Sequence, residues 1–382
     1  MRITRKLAIA ATAAAIVLTA SACSSGGGAT PTDSPSDSTL SAEAQAALDA
    51  SYEGFGSDLS GLEAVSPEEG LNFYVMSCGE AIPTCAAPSA FMVQAAEAAG
   101  WNGTIVDGKL SPEGFATAIR QATAAGADVL VPVGISCSSA AAAFQEAAAA
   151  GVTIVGGGGL DDCDPKAWSA ERLWLPDPPS PTGIFGAFGI LQADYVFGKT
   201  NGDPKAVVLN MTSSPWGQLI TDAFTAELEK LGGGEVLEVV DMADTETADG
   251  SFIQKATSAL LANPDANALI VPTDGLLVNG LAAAINQAGL ADKLVVVGNF
   301  GSEAAIDMIR AGQPGITATI GAAQEWEAWG SVDTAIRVLA GQDPAYIGQS
   351  MQAVDADHNL PESGPYNGDI DWRAKFLASW GK

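Results

Sequence analysis

The chain has 382 residues, enough for two domains, and its 47% hydrophobic and 16% charged residues predict a globular protein with large buried cores. The formal net charge of −28 excludes a nucleic-acid binder, which needs a basic stripe against phosphates, and it disfavours anionic membranes and anionic ligands.

The amino terminus has the composition of an export signal. Arg2, Arg5 and Lys6 form a positive start, and residues 7–19 form an apolar segment too short for a membrane-spanning helix of about 20 residues. Ala20-Ser21-Ala22-Cys23 follows and resembles a bacterial lipobox. The resemblance implies a signal peptide of residues 1–22, cleavage before Cys23 and a diacylglycerol on its sulfur. The alternative is an ordinary signal peptide with a chance cysteine.

The next segment, residues 23–41, has the composition of a flexible tether. After Cys23 it consists of Ser, Gly, Pro, Thr, Ala and Asp with a single leucine, so it has no residues that could form a core. We therefore expect the globular part of the protein to begin at residue 42.

Helices and strands alternate in the first half of the globular part. Phe115, Ala118, Ile119 and Ala122 repeat at the spacing of one helix face, and residues 129–133 are apolar throughout, as in a strand covered on both faces. The strands predicted in this half are residues 71–76, 104–106, 129–133 and 152–155. The helices predicted between them are residues 89–99, a second from about residue 115 to Gly126, and a third that ends at Gly151.

The second half repeats this alternation. Its predicted strands are residues 205–210, 235–240, 268–272, 294–297 and 315–320, and its predicted helices include residues 184–197, 251–262, 276–288 and 302–311. Corresponding strands are about 25 residues apart in both halves. Because strands joined by helices lie parallel, the pattern predicts two similar α/β lobes with parallel sheets.

Three segments are predicted to connect the lobes. The first contains the run Asp177-Pro178-Pro179-Ser180-Pro181, which fits neither a helix interior nor a central strand. The second precedes the helix that starts near Gln324, and the third lies within residues 346–354. The predicted first lobe is therefore residues 42–177 plus 323–345, and the second is residues 178–322 plus 346–382.

Four cysteines remain if Cys23 carries lipid, and thiols outside the membrane oxidise. Cys78 and Cys85 lie in one loop, and Cys137 and Cys163 each follow a strand, so we predict the disulfides Cys78–Cys85 and Cys137–Cys163. A zinc site is the alternative, although the spacings lack paired C-x2–4-C knuckles.

No catalytic set is visible in the sequence. His358 is the one histidine, and no Walker-type phosphate loop occurs, so we predict no enzyme activity, no cofactor and no metal. The four glycines of residues 156–159 favour close backbone packing or a flexible tip, with phosphate binding as the alternative.

The order of elements from Leu71 to Val354 resembles the type I periplasmic binding proteins, the ribose-binding and galactose-binding group with the fold of the lac repressor core. The resemblance rests on the phrases ATAAGADVLVPVG, AAAAGVTIVGGGGLDD, LLANPDANALIVPTDGLLVNGLAAAINQAG and KLVVVGNFGSEAAIDMIRAGQ. It implies two doubly wound parallel-sheet lobes joined by a three-crossing hinge. It also implies a monomeric receptor that binds a small ligand between the lobes and delivers it to the permease of an ABC transporter.

Polar and aromatic residues at the predicted strand ends and crossings are the candidate ligand contacts, because ligands bind beyond the carboxyl ends of parallel strands. The candidates are Ser77, Glu80, Asp161, Asp162, Trp216, Gln218, Thr273, Asp274, Phe300, Gln324 and Trp326. Carboxylates accept several ligand hydroxyls, and aromatic faces stack on sugars. The alternatives are that an aspartate caps the following turn and that the aromatic rings belong to the core.

The resemblance leaves the ligand open. Phe300 stands where the sugar-binding pattern GFDG has Asp, and Gln218 lies where ribose receptors carry Arg. A neutral sugar is the first prediction, and an amine or a nucleoside is the alternative within the class. A ligand sensor for a membrane kinase is the alternative to transport.

Overall fold

The computed structural model describes residues 40–213 and 215–382, so Cys23 and the predicted signal peptide lie outside the described residues. Residues 40–382 form one compact unit. Among the described residues, no helix has the length and apolar character that crossing a bilayer requires.

The first lobe is built on a four-stranded parallel sheet. Its strands are β1 (Asn72–Ser77), β2 (Asn102–Asp107), β3 (Val129–Pro132) and β4 (Thr153–Ile154), in the spatial order β2-β1-β3-β4. Its helices are α2 (Pro83–Ala99), α3 (Pro112–Ala124) and α4 (Ala141–Ala149). All of β3 is buried, as its apolar sequence predicts for a strand covered on both faces.

The second lobe is built on a six-stranded sheet. Its strands are β5 (Lys205–Met211), β6 (Glu235–Met242), β7 (Ala268–Ile270), β8 (Val295–Phe300), β9 (Ala318–Ala322) and β10 (Met351–Val354). The spatial order is β10-β9-β8-β7-β5-β6, and only β10 runs antiparallel to its neighbour. The doubly wound α/β fold with two lobes is confirmed, with this one antiparallel edge strand in addition.

The helices of the second lobe cover both faces of its sheet. They are α5 (Ile184–Lys199), α6 (Pro215–Leu231), α7 (Asp244–Asp249), α8 (Ser251–Ala262), α9 (Asp274–Leu276), α10 (Ala282–Gln287) and α11 (Glu303–Arg310). The single helix predicted over residues 276–288 is interrupted, because Asn279 and Gly280 leave helical geometry and Gly280 has φ 115°. The predicted continuous helix is therefore wrong at the kink, and the helical prediction is correct on either side of it.

The chain crosses between the lobes three times after β4. It passes from β4 to α5, from β9 to α12 (Gln324–Leu339), which packs on α2 in the first lobe, and back from α12 to β10. The segments lie side by side, since Leu173 pairs with Tyr346 and the Gly348 N–H donates to the Trp174 carbonyl. The predicted three-crossing hinge is therefore confirmed.

The two terminal helices lie on the opposite lobes from those predicted. Helix α1 (Ala42–Glu53), predicted in the first lobe, packs on α5 and β10, because Gly198 of α5 leaves room for Leu48. Helix α13 (Trp372–Trp380), predicted in the second lobe, packs on α12 and α2. Its Trp380 ring stacks on Trp329 at 5.4 Å, which covers apolar surface that the first lobe would otherwise expose.

Candidate ligand-binding site

The two lobes come close to each other near the carboxyl end of β7. A β-carbon placed on Gly275, just after β7, would lie 3.8 Å from the methyl carbon of Thr84 at the start of α2. A small molecule bound near this contact could therefore reach both lobes at once.

Both predicted disulfides are confirmed, and both stabilise the first lobe's side of this region. Cys78 joins the end of β1 to Cys85 in α2 with a Cα–Cα distance of 5.4 Å, and Cys137 joins Cys163 at 5.5 Å. Cys137, Cys163 and Asp161 cluster within 4.8 Å, but both sulfurs are bonded to each other and offer no thiolate to zinc.

The glycine run after β4 is packed tightly against the end of β3. A β-carbon on Gly157 would lie 2.4 Å from the Pro132 carbonyl oxygen, and one on Gly159 would lie 2.1 Å from the Ile135 carbonyl oxygen. Since no L side chain fits at either position, the run serves close backbone packing, the first of the uses predicted for it.

Asp161 and Asp162 already accept hydrogen bonds from the protein. Asp161 is buried, and one of its carboxylate oxygens accepts the backbone N–H groups of Ala167 and Trp168, each at 2.9 Å. Asp162 is exposed and accepts both the backbone N–H and the hydroxyl of Ser138. The arrangement corresponds to the turn-capping alternative, and ligand contact by either carboxylate stays a prediction.

Ser77 and Glu80 end the first strand in different environments. The Ser77 side chain is fully buried, and its Oγ has no hydrogen-bond partner among the described residues. Glu80 is exposed, and its backbone N–H donates to the Asp107 carboxylate at 3.1 Å. Because a buried hydroxyl without a partner is costly, the Ser77 hydroxyl is suited to a ligand.

Asp274 connects three elements of the second lobe. Its buried carboxylate accepts the Ser302 N–H at 2.9 Å and the Thr319 hydroxyl at 2.8 Å, and burial raises its pKa to about 7. The neighbouring Thr273 caps the start of α9 through the Gly275 N–H. Asp274 thus fixes the ends of β7, β8 and β9 relative to one another.

Asn299 is a second buried polar group at this edge. Its Nδ2 donates to the Pro272 carbonyl at 3.4 Å, and its Oδ1 has no partner among the described residues. The sequence prediction missed Asn299 because it resembles an ordinary strand-end residue next to Phe300.

The three candidate aromatic residues divide into two groups. Trp326 is buried, donates to the Ile347 carbonyl at 2.7 Å and stacks on Trp372, so it belongs to the core. Trp216 and Phe300 are partly exposed, and each packs on a phenylalanine of α5. Only the second group has ring surface available to a ligand.

The two candidate glutamines lie at helix starts. Gln218 is exposed in α6, accepts from Asn210 at 3.2 Å and donates to Asp222 at 2.7 Å. Gln324 is the half-buried first residue of α12. Their contact with a ligand stays a prediction.

A polar network that the sequence prediction missed joins the three hinge segments. Arg172 from the first segment forms an ion pair with Glu327 of α12 and donates to Ser331 at 3.1 Å. Gln349 from the third segment donates to Glu327 at 3.2 Å, and its Oε1 has no partner among the described residues. The charges of Arg172 and Glu327, which are both largely shielded from solvent, neutralise each other, so the network offers a ligand an amide oxygen and no net charge.

A family model described as a periplasmic binding protein domain matches residues 73–343. The chain belongs to the periplasmic binding protein family. Periplasmic binding proteins are solute-binding receptors rather than enzymes, and they act outside the cytoplasm. The two disulfides agree with that compartment.

Solved periplasmic binding proteins share the fold at low identity. A glucose-galactose binding protein from Geobacillus stearothermophilus is 16% identical over 77% of this chain and 100% of its own, with a TM-score of 0.63. A 5-methylthioribose transporter solute-binding protein from Thermotoga lettingae is 16% identical over 83% of this chain and 95% of its own, with a TM-score of 0.64. A Burkholderia graminis solute-binding protein in complex with D-arabinose is 16% identical, over 78% and 98%, with a TM-score of 0.64. No curated protein matches the sequence.

Proposed function

We propose that this periplasmic binding protein is the receptor for a small neutral sugar and delivers it to an ABC importer. The observation that carries the proposal is that, of the eight buried polar side-chain atoms without a hydrogen-bond partner among the described residues, three lie at strand ends or in the hinge, namely Ser77 Oγ, Asn299 Oδ1 and Gln349 Oε1. They come from the first lobe, the second lobe and the hinge. Two are amide oxygens, which only accept, so a ligand with several O–H donors would satisfy them.

Charge supports a neutral ligand. The largely shielded cation Arg172 is paired with Glu327, and Asp161 and Asp274 are occupied by protein donors. An anion would meet no free buried cation in this set, and the acidic chain as a whole would repel it.

The neighbouring structures agree with this ligand class, since their descriptions name glucose and galactose, 5-methylthioribose and D-arabinose. The partly exposed rings of Trp216 and Phe300 favour a second candidate, a nucleoside or an amine, because ring faces also bind bases and cations.

A thermal-shift screen against sugars, nucleosides, amines and organic anions tests the ligand class. Binding to the folded state alone raises the melting temperature by an amount set by ligand concentration over Kd. We expect neutral sugars to give the largest shifts, followed by isothermal titration calorimetry on the best. Stabilisation by organic anions alone would contradict the proposal.

We further propose that the receptor is a monomer anchored to the outer face of the cell membrane through lipid on Cys23. The signal pattern and the lipobox resemblance support the anchor. Replacing Cys23 with serine should move the protein from the membrane fraction to the medium. Retention of the serine variant in the membrane would contradict the anchor.

An uptake assay distinguishes a transport receptor from a ligand sensor. Cells that lack this protein should lose uptake of the radiolabelled ligand found in the screen, and the intact gene should restore it. Normal uptake with loss of a ligand-dependent transcriptional response would instead favour the sensor alternative.

A further inference from the structure

Phe300, the last residue of β8, has an unusual backbone conformation. Its φ is +91°, whereas the other five described non-glycine residues with positive φ lie between 50° and 57°, inside the small left-handed region open to L residues. A bulky side chain at φ +91° is strained, and such strain persists only where the surrounding structure imposes it.

The turn that follows β8 imposes the conformation. The Gly301 N–H donates to Thr319 at 3.2 Å and the Ser302 N–H donates to Asp274 at 2.9 Å, which fixes the direction of the chain after Phe300. Gly301 itself is needed for packing, because a β-carbon there would lie 2.7 Å from Tyr366. The geometry of the turn alone would therefore favour a glycine at position 300 as well. The presence of phenylalanine there needs a reason other than the turn.

The Phe300 ring belongs to one of two aromatic pairs formed with α5. It packs edge-on against Phe188 at 4.8 Å, and one turn earlier in α5 Phe185 stacks on Trp216 at 6.4 Å. Phe185 and Phe188 are buried, and their partners Trp216 and Phe300 are the partly exposed rings of the two pairs. The residue before Phe300 in β8 is Asn299, whose Oδ1 has no hydrogen-bond partner among the described residues.

We propose that Phe300 is a specificity-determining residue, held at the cleft despite its strained backbone, and that the ligand is a sugar derivative with an apolar face or substituent. The inference rests on the proposed sugar-receptor function and narrows it. Hydroxyls on one part of the ligand would meet Ser77, Asn299 and Gln349, and an alkyl, alkylthio or base substituent would meet the rings of Phe300 and Trp216. A plain polyol would leave that ring surface against water, which weakens its binding.

Two matched ligand pairs test the selectivity by isothermal titration calorimetry on the full chain. D-ribose and 5-methylthioribose differ by a hydroxyl against a methylthio group, and D-galactose and methyl β-D-galactoside differ by one methyl. We expect the wild type to bind the apolar member of at least one pair tenfold or more tightly. Phe300→Ala should bring that ratio close to one, and Phe300→Asp should favour the plain sugar.

The strain is tested separately by comparing Phe300→Ala with Phe300→Gly. Both variants lose the same ring, so the difference between them reports the backbone. At an ordinary strand position alanine is more stable than glycine, and we expect that order for the control pair Val295→Ala and Val295→Gly in the same strand. At position 300 we expect the reverse, with the glycine variant melting at the higher temperature.

The outcomes separate this inference from the proposed function. If the wild type binds sugars but the Phe300 variants keep its selectivity, the inference is overturned and the receptor function stands. If no sugar binds the wild type, the proposed function fails and the inferred ligand class fails with it. If Phe300→Gly melts below Phe300→Ala, the backbone is unstrained and the structural basis of the inference is wrong.

Discussion

At the scale of single residues, the sequence predicts where the carboxylates lie but not which groups they bind. The sequence places Asp161 and Asp274 at strand ends, and the structure confirms those places. Their hydrogen bonds run into the protein, to backbone N–H groups for Asp161 and to Ser302 and Thr319 for Asp274. A pattern of residue types reveals that a strand ends in a carboxylate, but the donors around it come from segments that only the fold brings together.

Replacing Asp161 with alanine should lower stability. The backbone N–H groups of Ala167 and Trp168 would lose their acceptor, which costs about 1–3 kcal/mol in the free energy of unfolding. Urea unfolding measures this, and Asp162→Ala, whose partner Ser138 is at an exposed site, is the control with a smaller expected loss. Full stability of Asp161→Ala together with lost ligand binding would show instead that Asp161 contacts the ligand.

Asp194 in α5 should make stability depend on pH. Burial, followed by the nearby charge of Glu227, raises its pKa to about 7. The folded protein therefore favours the protonated form, so stability from this group is complete below pH 4 and is lost as pH rises through 7. We expect Asp194→Asn to match the wild type at pH 4 and to be more stable at pH 8, by roughly 1–3 kcal/mol. Urea titrations at both pH values check this, and a pH-independent difference would contradict it.

At the scale of elements, hydrophobic periodicity predicted the bounds of individual helices and strands. The strand predicted at residues 71–76 is Asn72–Ser77, and the helix predicted at 251–262 is Ser251–Ala262. The kink at Gly280 was missed, because a single glycine in a helical pattern gives no sign of the Ile253 side chain that lies beside it. The hinge network was missed for a related reason, since Arg172 and Glu327 are far apart in sequence.

The two disulfides should contribute unequally to stability. Cys137–Cys163 spans 26 residues and Cys78–Cys85 spans 7, and a longer closed loop loses more conformational entropy when the chain is unfolded. We expect removal of the first pair by alanine substitution to cost about 3–4 kcal/mol, roughly 1 kcal/mol more than removal of the second. Thermal unfolding without reductant compares the variants, and equal losses would contradict the loop-length argument.

The hinge ion pair should be strongly non-additive. Arg172→Met leaves the Glu327 carboxylate without its cation in a nearly dry site, at a cost of about 3–5 kcal/mol. Adding Glu327→Gln removes the uncompensated charge, so the double variant should recover much of that loss. A double-mutant cycle in urea measures the coupling, and additive losses would mean that the pair is already well solvated.

At the scale of the whole molecule, segments other than the three crossings also pack near the hinge. Besides the three crossings, the segment after α1 pairs Phe55 with Met351, and the segment before α13 places Tyr366 against Gly301 and Gly321. The sequence prediction assigned the two terminal helices to the wrong lobes, because their apolar residues fit either core. Their anchors, such as the Tyr52 hydroxyl on Asp355, are contacts across about 300 residues.

One consequence follows from the exchange of the terminal helices. Since α1 packs on the second lobe and α13 on the first, the two ends of the globular chain are attached to different lobes. Spin labels at Gln45→Cys and Ala374→Cys, both at exposed positions, should therefore show a distance distribution that shifts when ligand is added. For the same reason, two fluorophores fused near these two ends should change their energy transfer if ligand binding changes the angle between the lobes.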